Sequence, residues 1–105
     1  MKKSFGELIR KLRTEKKLTL TQLAAQLNMD PANLSKIETG KRDFDEKRLE
    51  KLAKVFNLDL EELKIEYFSD YIAKKLYKIH NSKDTLILAE EKANYLRIKM
   101  VKQTN

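Results

Sequence analysis

Residues 18–42 have the sequence LTLTQLAAQLNMDPANLSKIETGKR, in which apolar residues recur at the spacing of two short helices. These residues are Leu20, Leu23, Ala24 and Leu27 in the first half, and Leu34 and Ile37 in the second. Steps of three and four residues place side chains on one face of a helix. The stretch therefore predicts helices at residues 20–27 and 31–39, joined by a short connection.

Polar residues at the start of each segment support these limits. Thr19, followed three residues later by Gln22, has the pattern of a capping box, in which side chains accept hydrogen bonds from otherwise unpaired backbone N–H groups. Asp30 precedes Pro31, and proline is well tolerated at the first helical position because its missing N–H would have no partner there.

The two segments have the features that a helix-turn-helix requires. Ala24 is a small residue midway along the first helix, so the second can cross it closely. Asn28 lies in the connection, where a residue that tolerates positive φ is needed, and Gly40 follows the second helix for the same reason. Leu34 and Ile37 supply the apolar contacts that hold the second helix in place.

The same signals predict further helices on both sides. Ser4, Asp45 and Asp59 are candidate capping residues, and the apolar spacing after them predicts helices at residues 5–16 and 46–56 and a third from about residue 60. The last of these either continues to about residue 80 or breaks at Ser69. A polar turn at residues 81–84 precedes a final helix from Thr85. With two Gly and one Pro in 105 residues, the predicted fold class is all-α.

The segment 18–42 resembles the phage-repressor-like (xenobiotic-response-element type) helix-turn-helix family. The resemblance covers residues 1–66 and implies a five-helix DNA-binding domain. Residues 67–105 are expected to form a C-terminal helical dimerisation element. Asn28 replaces a common glycine and Asp43-Phe44 replaces Pro-Ser, changes that the fold tolerates. The segments SDYIAKKLYKI and AEEKANYL are similar to regulators associated with DNA methyltransferase genes, which implies control of restriction–modification.

Helical geometry predicts which face of residues 31–39 is exposed. At about 100° per residue, Leu34 and Ile37 define the buried direction. The residues opposite are Ala32, Ser35, Lys36 and Thr39. In the family, the N-terminal part of this helix enters the major groove of double-stranded DNA. The resemblance therefore makes Ala32, Ser35 and Lys36 base-contacting candidates, with Asn33 at the flank; in an arbitrary helix, Lys36 would simply be a solvated lysine.

Phosphate contacts are expected around the rim of this face. The candidates are Thr19, Thr21, Thr39, Lys41 and Arg42. The backbone N–H groups of the loop at Gly40 are expected to contribute as well, and the alternative for the two cations is a solvated basic turn. The resemblance also pairs Glu38 with Arg13 of the first helix, which implies a structural salt bridge that orients the second helix of the motif.

The last predicted helix has a set of apolar residues separated by alternating steps of three and four, which we call the C-terminal seam. It consists of Leu86, Ala89, Ala93, Leu96 and Met100. Such spacing is typical of a coiled coil and predicts a homodimer interface. The seam could instead pack on residues 67–79 of its own chain, or both arrangements could combine. The aromatic residues Tyr67, Phe68 and Tyr71 favour core or dimer packing over a ligand pocket.

Composition restricts the function. A net charge of +7 favours a polyanionic partner. Without Cys, and with His80 as the single His, no thiolate zinc site or His-based catalytic cluster is expected, and the sequence has no nucleotide-binding motif. We therefore expect no enzyme, metal or cofactor. The absence of a long apolar run and of a secretory signal predicts a cytoplasmic protein with no membrane partner.

Two hypotheses follow for the whole chain. The first is a sequence-specific transcriptional regulator that binds a palindromic operator as a homodimer. The alternative is an antitoxin that masks a toxin through residues 67–105 and also regulates its own promoter. A toxin-like neighbouring gene would favour the second hypothesis.

Overall fold

The computed structural model describes the backbone of residues 3–104 and the side chains of residues 3–101. The helices are α1 (Phe5–Glu15), α2 (Leu20–Gln26), α3 (Pro31–Glu38), α4 (Leu49–Phe56), α5 (Leu60–Leu76) and α6 (Ser82–Thr104), with a single 3₁₀ turn at Glu46–Arg48 before α4. No strand is present in residues 3–104. The predicted all-α fold class is therefore confirmed.

The predicted caps start the helices of the motif. The Thr19 hydroxyl accepts the N–H of Gln22 at 3.1 Å, and the Gln22 side chain accepts the N–H of Thr19 at 2.8 Å. At the start of α3, an Asp30 carboxylate oxygen accepts the N–H of Ala32 at 3.1 Å. These contacts satisfy N–H groups that the first turn of a helix leaves without partners, so both starts are fixed locally.

Left-handed residues end three of the helices. Asn28, Gly40 and Asn57 have φ values of 56°, 80° and 52°, as predicted for Asn28 and Gly40 from their positions. Lys17, between α1 and α2, has φ 59°, which its residue type did not predict. Long side chains such as lysine seldom adopt this conformation, so the connection after α1 is held by its surroundings.

Two helix limits differ from the predictions. Of the two alternatives for the helix after Asp59, the structure has the unbroken one, in which the Ser69 hydroxyl donates to the Glu66 carbonyl at 3.1 Å, but this helix ends at Leu76 and not near residue 80. The last helix begins at Ser82 and not at Thr85. The polar residues there are compatible with a first helical turn, in which serine and acidic side chains are favourable.

The chain divides into two compact units, Met1–Asp70 and Tyr71–Asn105, with the boundary inside α5. The first unit contains the hydrophobic core. Its buried apolar residues are Phe5, Ile9, Leu23, Ala24, Leu27, Leu34, Ile37, Phe44, Leu49, Leu52, Ala53 and Leu63. In the second unit, none of the described side chains, residues 71–101, is buried.

Gly6 brings α1 and the end of α3 into close contact. A Cβ atom placed on Gly6 would lie 2.1 Å from the Ile37 carbonyl oxygen and 3.2 Å from that of Glu38. Both obstacles are backbone atoms, which cannot move aside as a flexible side chain would. A residue with any side chain at this position would therefore push α1 away from α3.

We expect Gly6→Ala to lower the free energy of unfolding by about 1–3 kcal/mol, the usual cost of overpacking. Helix propensity alone predicts the opposite sign, because alanine is favoured over glycine within a helix by about 1 kcal/mol. Urea unfolding measures the difference. Arg10→Ala, an exposed change on the same helix, is the control and should shift stability by less than about 0.5 kcal/mol. A more stable Gly6→Ala variant would contradict the close approach.

Candidate nucleic-acid interface

The outer face of α3 carries the side chains predicted to contact DNA bases. Ala32 and Lys36 are exposed, and Ser35 is half-buried. Leu34 and Ile37 point into the core, with 0% and 3% of their surface exposed. The structure thus places the three candidates on the side of α3 that faces away from the core, where they can reach a partner without disturbing the packing.

A salt bridge fixes the end of α3 to α1. Arg13 donates through Nε to Glu38 Oε2 at 2.7 Å and through Nη2 to Oε1 at 2.9 Å. Its remaining nitrogen, Nη1, donates to the Leu18 carbonyl at 3.0 Å. The side chains of Arg13 and Glu38 are 13% and 4% exposed. This two-point contact determines the orientation of both side chains.

The salt bridge raises the pKa of Arg13. The hydrogen bonds with Glu38 and the negative charge of the Glu38 carboxylate raise this pKa above the ordinary value for arginine. Partial burial lowers it, but by less. For a cation with a raised pKa, the contribution to stability is complete below the ordinary value and is lost only as the pH rises through the new one. The arginine therefore supports the fold over the whole physiological pH range.

Arg48 is a structural residue that the sequence did not reveal. Its guanidinium donates from Nε to the Leu27 carbonyl at 3.0 Å, from Nη2 to the Asn28 carbonyl at 3.1 Å and from Nη1 to Asp45 Oδ2 at 2.8 Å. These contacts tie the turn between α2 and α3 to the start of α4. The partners at residues 27 and 28 are about twenty positions away in sequence, so no local pattern points to them.

The backbone N–H groups of the loop after α3 are hydrogen-bonded within the chain. The N–H group of Gly40 donates to the Ile37 carbonyl at 3.1 Å. The N–H groups of Lys41 and Arg42 both donate to the Lys36 carbonyl, at 2.8 and 3.2 Å. These three donors therefore already have partners within the chain, so a phosphate contact would have to share or replace those hydrogen bonds. The side chains of Lys41 and Arg42 are exposed and remain candidates.

Two other candidates are partly engaged within the chain. The Thr39 hydroxyl donates to the carbonyls of Ser35 and Lys36 at 3.0 and 3.2 Å, so it is directed towards its own helix. The Asn33 side chain accepts a hydrogen bond from Arg42 at 2.6 Å. Outside this region, Thr19 and Thr21 are exposed at the start of α2.

The C-terminal seam is open to solvent in the single chain. Leu86, Leu96 and Met100 are 44%, 57% and 58% exposed. Ala89 is also exposed, while Ala93 is half-buried. Any packing within the second unit therefore leaves the seam largely uncovered. Contiguous apolar surface of this kind marks a site of association.

The three aromatic residues near the unit boundary have different environments. Tyr67 is half-buried, contacts Phe5 edge to face with ring centroids 5.2 Å apart, and donates its hydroxyl to the Phe44 carbonyl at 2.8 Å. Phe68 and Tyr71 are 39% and 53% exposed. Of the three, Tyr67 therefore packs against the core.

Neither a metal cluster nor a membrane span is found in the part of the chain that the structure describes. Residues 3–104 contain no group of three or more His, Cys, Asp or Glu side chains able to hold a metal ion. None of the helices described there is long and apolar enough to cross a bilayer.

Comparison with known proteins gives a family match over most of the first unit. The family described as "Helix-turn-helix" matches residues 9–63. The repressor RghR of Bacillus subtilis is 43% identical over 61 residues, which cover 57% of this chain and 45% of that protein. The regulator RghRB of the same organism is 42% identical over 60 residues, 56% of this chain and 43% of that protein. The chain thus matches less than half the length of these two relatives.

A phage protein and several solved structures are also similar. The ImmF control region 10 kDa protein of Bacillus phage phi105 is 41% identical over 63 residues, covering 60% of this chain and 70% of that protein. The restriction-modification controller C.AhdI of Aeromonas hydrophila has a TM-score of 0.51 at 32% identity, over 56% of this chain and 89% of its own. The biofilm regulator SinR, solved in complex with DNA, has a TM-score of 0.50 at 28% identity, over 56% and 95%.

The structure of the SinR–SinI complex matches over a longer range. Its TM-score is 0.51 over 96% of this chain and 99% of its own, at 19% identity. This likeness concerns the fold alone.

The Arg13 and Glu38 pair should behave as a coupled unit in unfolding experiments. Replacing either residue with alanine leaves a charge in a mostly buried position, so each single variant should lose about 3 kcal/mol of unfolding free energy. The double variant should lose at least about 1 kcal/mol less than the sum. Urea unfolding of the four proteins gives the coupling.

The exposed pair Lys11 and Glu15 provides a matched control. Their charged atoms are 3.9 Å apart, with side chains 53% and 61% exposed. The same set of substitutions there should show coupling below about 0.5 kcal/mol. Equal coupling in the two pairs would show that burial adds nothing to the contact between Arg13 and Glu38.

Proposed function

Because the chain belongs to the helix-turn-helix family of DNA-binding regulators, we propose that it is a transcriptional regulator that reads double-stranded DNA with α3. The observation that carries this proposal is the outer face of α3, where Ala32, Ser35 and Lys36 lie outside the core while the helix itself is held by the salt bridge to α1. A reading helix needs both properties, since its contacts must be accessible and its orientation fixed.

The side chains on this face have the chemistry of base contacts. The Lys36 ammonium can donate to O6 and N7 of guanine, and the methyl group of Ala32 fits the methyl group of thymine. Ser35 can donate to or accept from a base edge, which gives weaker discrimination. All three come from the exposed side of one helix, so they can enter one groove together.

Phosphate contacts are proposed from the rim. Lys41, from the loop after α3, and Thr19 and Thr21, at the start of α2, are exposed. The net charge of +7 favours approach to the polyanion. Thr39 has a smaller part, because a phosphate oxygen can only accept a hydrogen bond and the hydroxyl proton of Thr39 is donated to carbonyls of α3.

The C-terminal seam is proposed to join two copies. A two-fold dimer would present two reading helices about one turn of DNA apart, roughly 34 Å, and would require a palindromic operator. Similarity to the controller C.AhdI supports a role in restriction–modification. No catalytic role is proposed, and a DNA-binding regulator of this kind would act in the cytoplasm.

A second candidate function is an antitoxin. Apolar residues lie on α6 outside the seam, and among them Ile87, Ile98 and Val101 are 52%, 59% and 60% exposed. This surface exceeds what a single seam covers, which favours an additional protein partner. Co-expression with the product of the adjacent gene tests this function: a stable complex that inhibits a toxic activity supports it, and the absence of a complex contradicts it.

Substitutions of base-contacting and phosphate-contacting residues should have different effects on DNA binding. Lys36→Ala should cost about 1–3 kcal/mol on the preferred site and relax the base preference there, whereas Lys41→Ala should weaken binding to all duplexes alike and reduce the salt slope by about one unit. Selection from random duplexes identifies the preferred site, and titrations at several salt concentrations measure the slope.

Lys54→Ala is the control, because Lys54 is an exposed lysine on α4 and should change neither property. If Lys36→Ala weakened binding equally on preferred and random DNA, Lys36 would contact phosphate and the proposed orientation of α3 would be wrong.

Leu96→Glu should convert the dimer to a monomer, because a carboxylate in a seam buried between two helices would lose its solvation. Operator affinity should fall, while the first unit stays folded. Leu88→Glu is the matched control: Leu88 is 50% exposed on the same helix but outside the seam. Light scattering gives the masses. The proposed interface would be contradicted if the unmodified chain were a monomer at a concentration of roughly tens of micromolar. It would also be contradicted if the Leu96→Glu variant remained a dimer.

A further inference from the structure

The side chain of Arg42 lies back along α3. Its Nη1 donates to Oδ1 of Asn33 at 2.6 Å, although the two residues are nine positions apart in sequence. Asn33 is half-buried on α3, and Arg42 is exposed in the loop that follows. The contact therefore joins an exposed cation to the flank of the reading helix.

The backbone of Arg42 is fixed as well. Its N–H donates to the Lys36 carbonyl at 3.2 Å, beside the N–H of Lys41, which donates to the same oxygen at 2.8 Å. Arg42 is thus attached to α3 at two points, through its backbone near the last turn and through its guanidinium near the first. The side chain must extend along the helix towards the N-terminal end.

Helical geometry shows which side of the reading face the guanidinium occupies. At about 100° per residue, Asn33 and Lys36 lie on one side of α3 and Ser35 lies on the other. The guanidinium of Arg42, bound to Asn33, is therefore on the Lys36 side. It is held at the level of the first turn of α3, the end proposed to enter the groove.

We propose that Arg42 reads a guanine in the major groove and that Asn33 is its positioning residue. This inference rests on the proposed function of α3. Arginine has five N–H donors, and after one of them binds Asn33 the others can form the two-point contact with O6 and N7 of guanine. Sequence reasoning assigned Arg42 to phosphate and Asn33 to a base, and the hydrogen bond between them gives each a different role.

The position of the guanidinium favours base reading over phosphate binding. The planar fork of an arginine can make a two-point contact with either group, but this one is held on the Lys36 side of α3, at the end proposed to enter the groove, and its plane must match a base edge there. The hydrogen bond to Asn33 defines that plane before DNA is bound, so less conformational freedom is lost on binding.

The test uses the full chain and a duplex that it selects from a random pool. Binding is measured for the unmodified chain, Arg42→Ala, Arg42→Lys, Asn33→Ala and the double alanine variant, on that duplex and on duplexes with each base pair changed in turn. In Arg42→Ala, the preference for a G·C pair over other base pairs at one position of the site should fall by about 5- to 150-fold. Arg42→Lys should keep the salt slope and lose most of that discrimination.

Asn33→Ala should reduce discrimination at the same base pair, and the double variant should match Arg42→Ala alone, because Asn33 acts through Arg42. Lys41→Ala is the control and should weaken all duplexes equally. Urea unfolding of each variant checks that the fold is retained. The assignment would be overturned if Arg42→Lys discriminated between bases as well as the unmodified chain, or if Asn33→Ala changed discrimination at a different base pair. It would also be overturned if the losses of discrimination in Arg42→Ala and Asn33→Ala were additive in the double variant. An unmodified chain without any sequence preference would reject the proposed function itself.

Discussion

The buried ion pair between Arg13 and Glu38 constrains the whole DNA-binding unit. Charged groups removed from water are costly unless they are paired and hydrogen-bonded. Here the pair has two hydrogen bonds, and the third arginine nitrogen binds a carbonyl before α2. A displacement of α1 relative to α3 would leave both charges unsatisfied. The position of the reading helix is thus fixed by a contact whose loss is costly, and the lack of a side chain at Gly6 permits a second close approach between the same two helices.

The predictable part of the structure is the part controlled by local chemistry. The helix starts at Thr19 and Asp30 and the left-handed ends at Asn28 and Asn57 depend on residues within a few positions of each other. Helical periodicity likewise separated the buried and exposed faces of α3. Such rules need no knowledge of the tertiary structure.

The features that sequence reasoning missed depend on contacts between distant residues. No local pattern points to Gly6, because the atom that excludes a side chain there is a carbonyl oxygen of α3. The role of Arg48 depends on carbonyls of the α2–α3 turn. The backbone donors after Gly40 were assigned to phosphate because their partner, the Lys36 carbonyl, is determined by how the loop folds back. For the Arg13 and Glu38 pair, only resemblance to a family supplied the partner.

The separation between the core of α3 and its outer face has a consequence for how such a protein diversifies. Because Ala32, Ser35 and Lys36 add little to the packing, a lineage can exchange them without endangering the fold, and each exchange can move the protein to a new set of target sites. Asn33 and Arg42 are different, because the two side chains are hydrogen-bonded and a change in one alters the orientation of the other. Their identities should therefore vary together among descendants, while the scaffold beneath them stays constant.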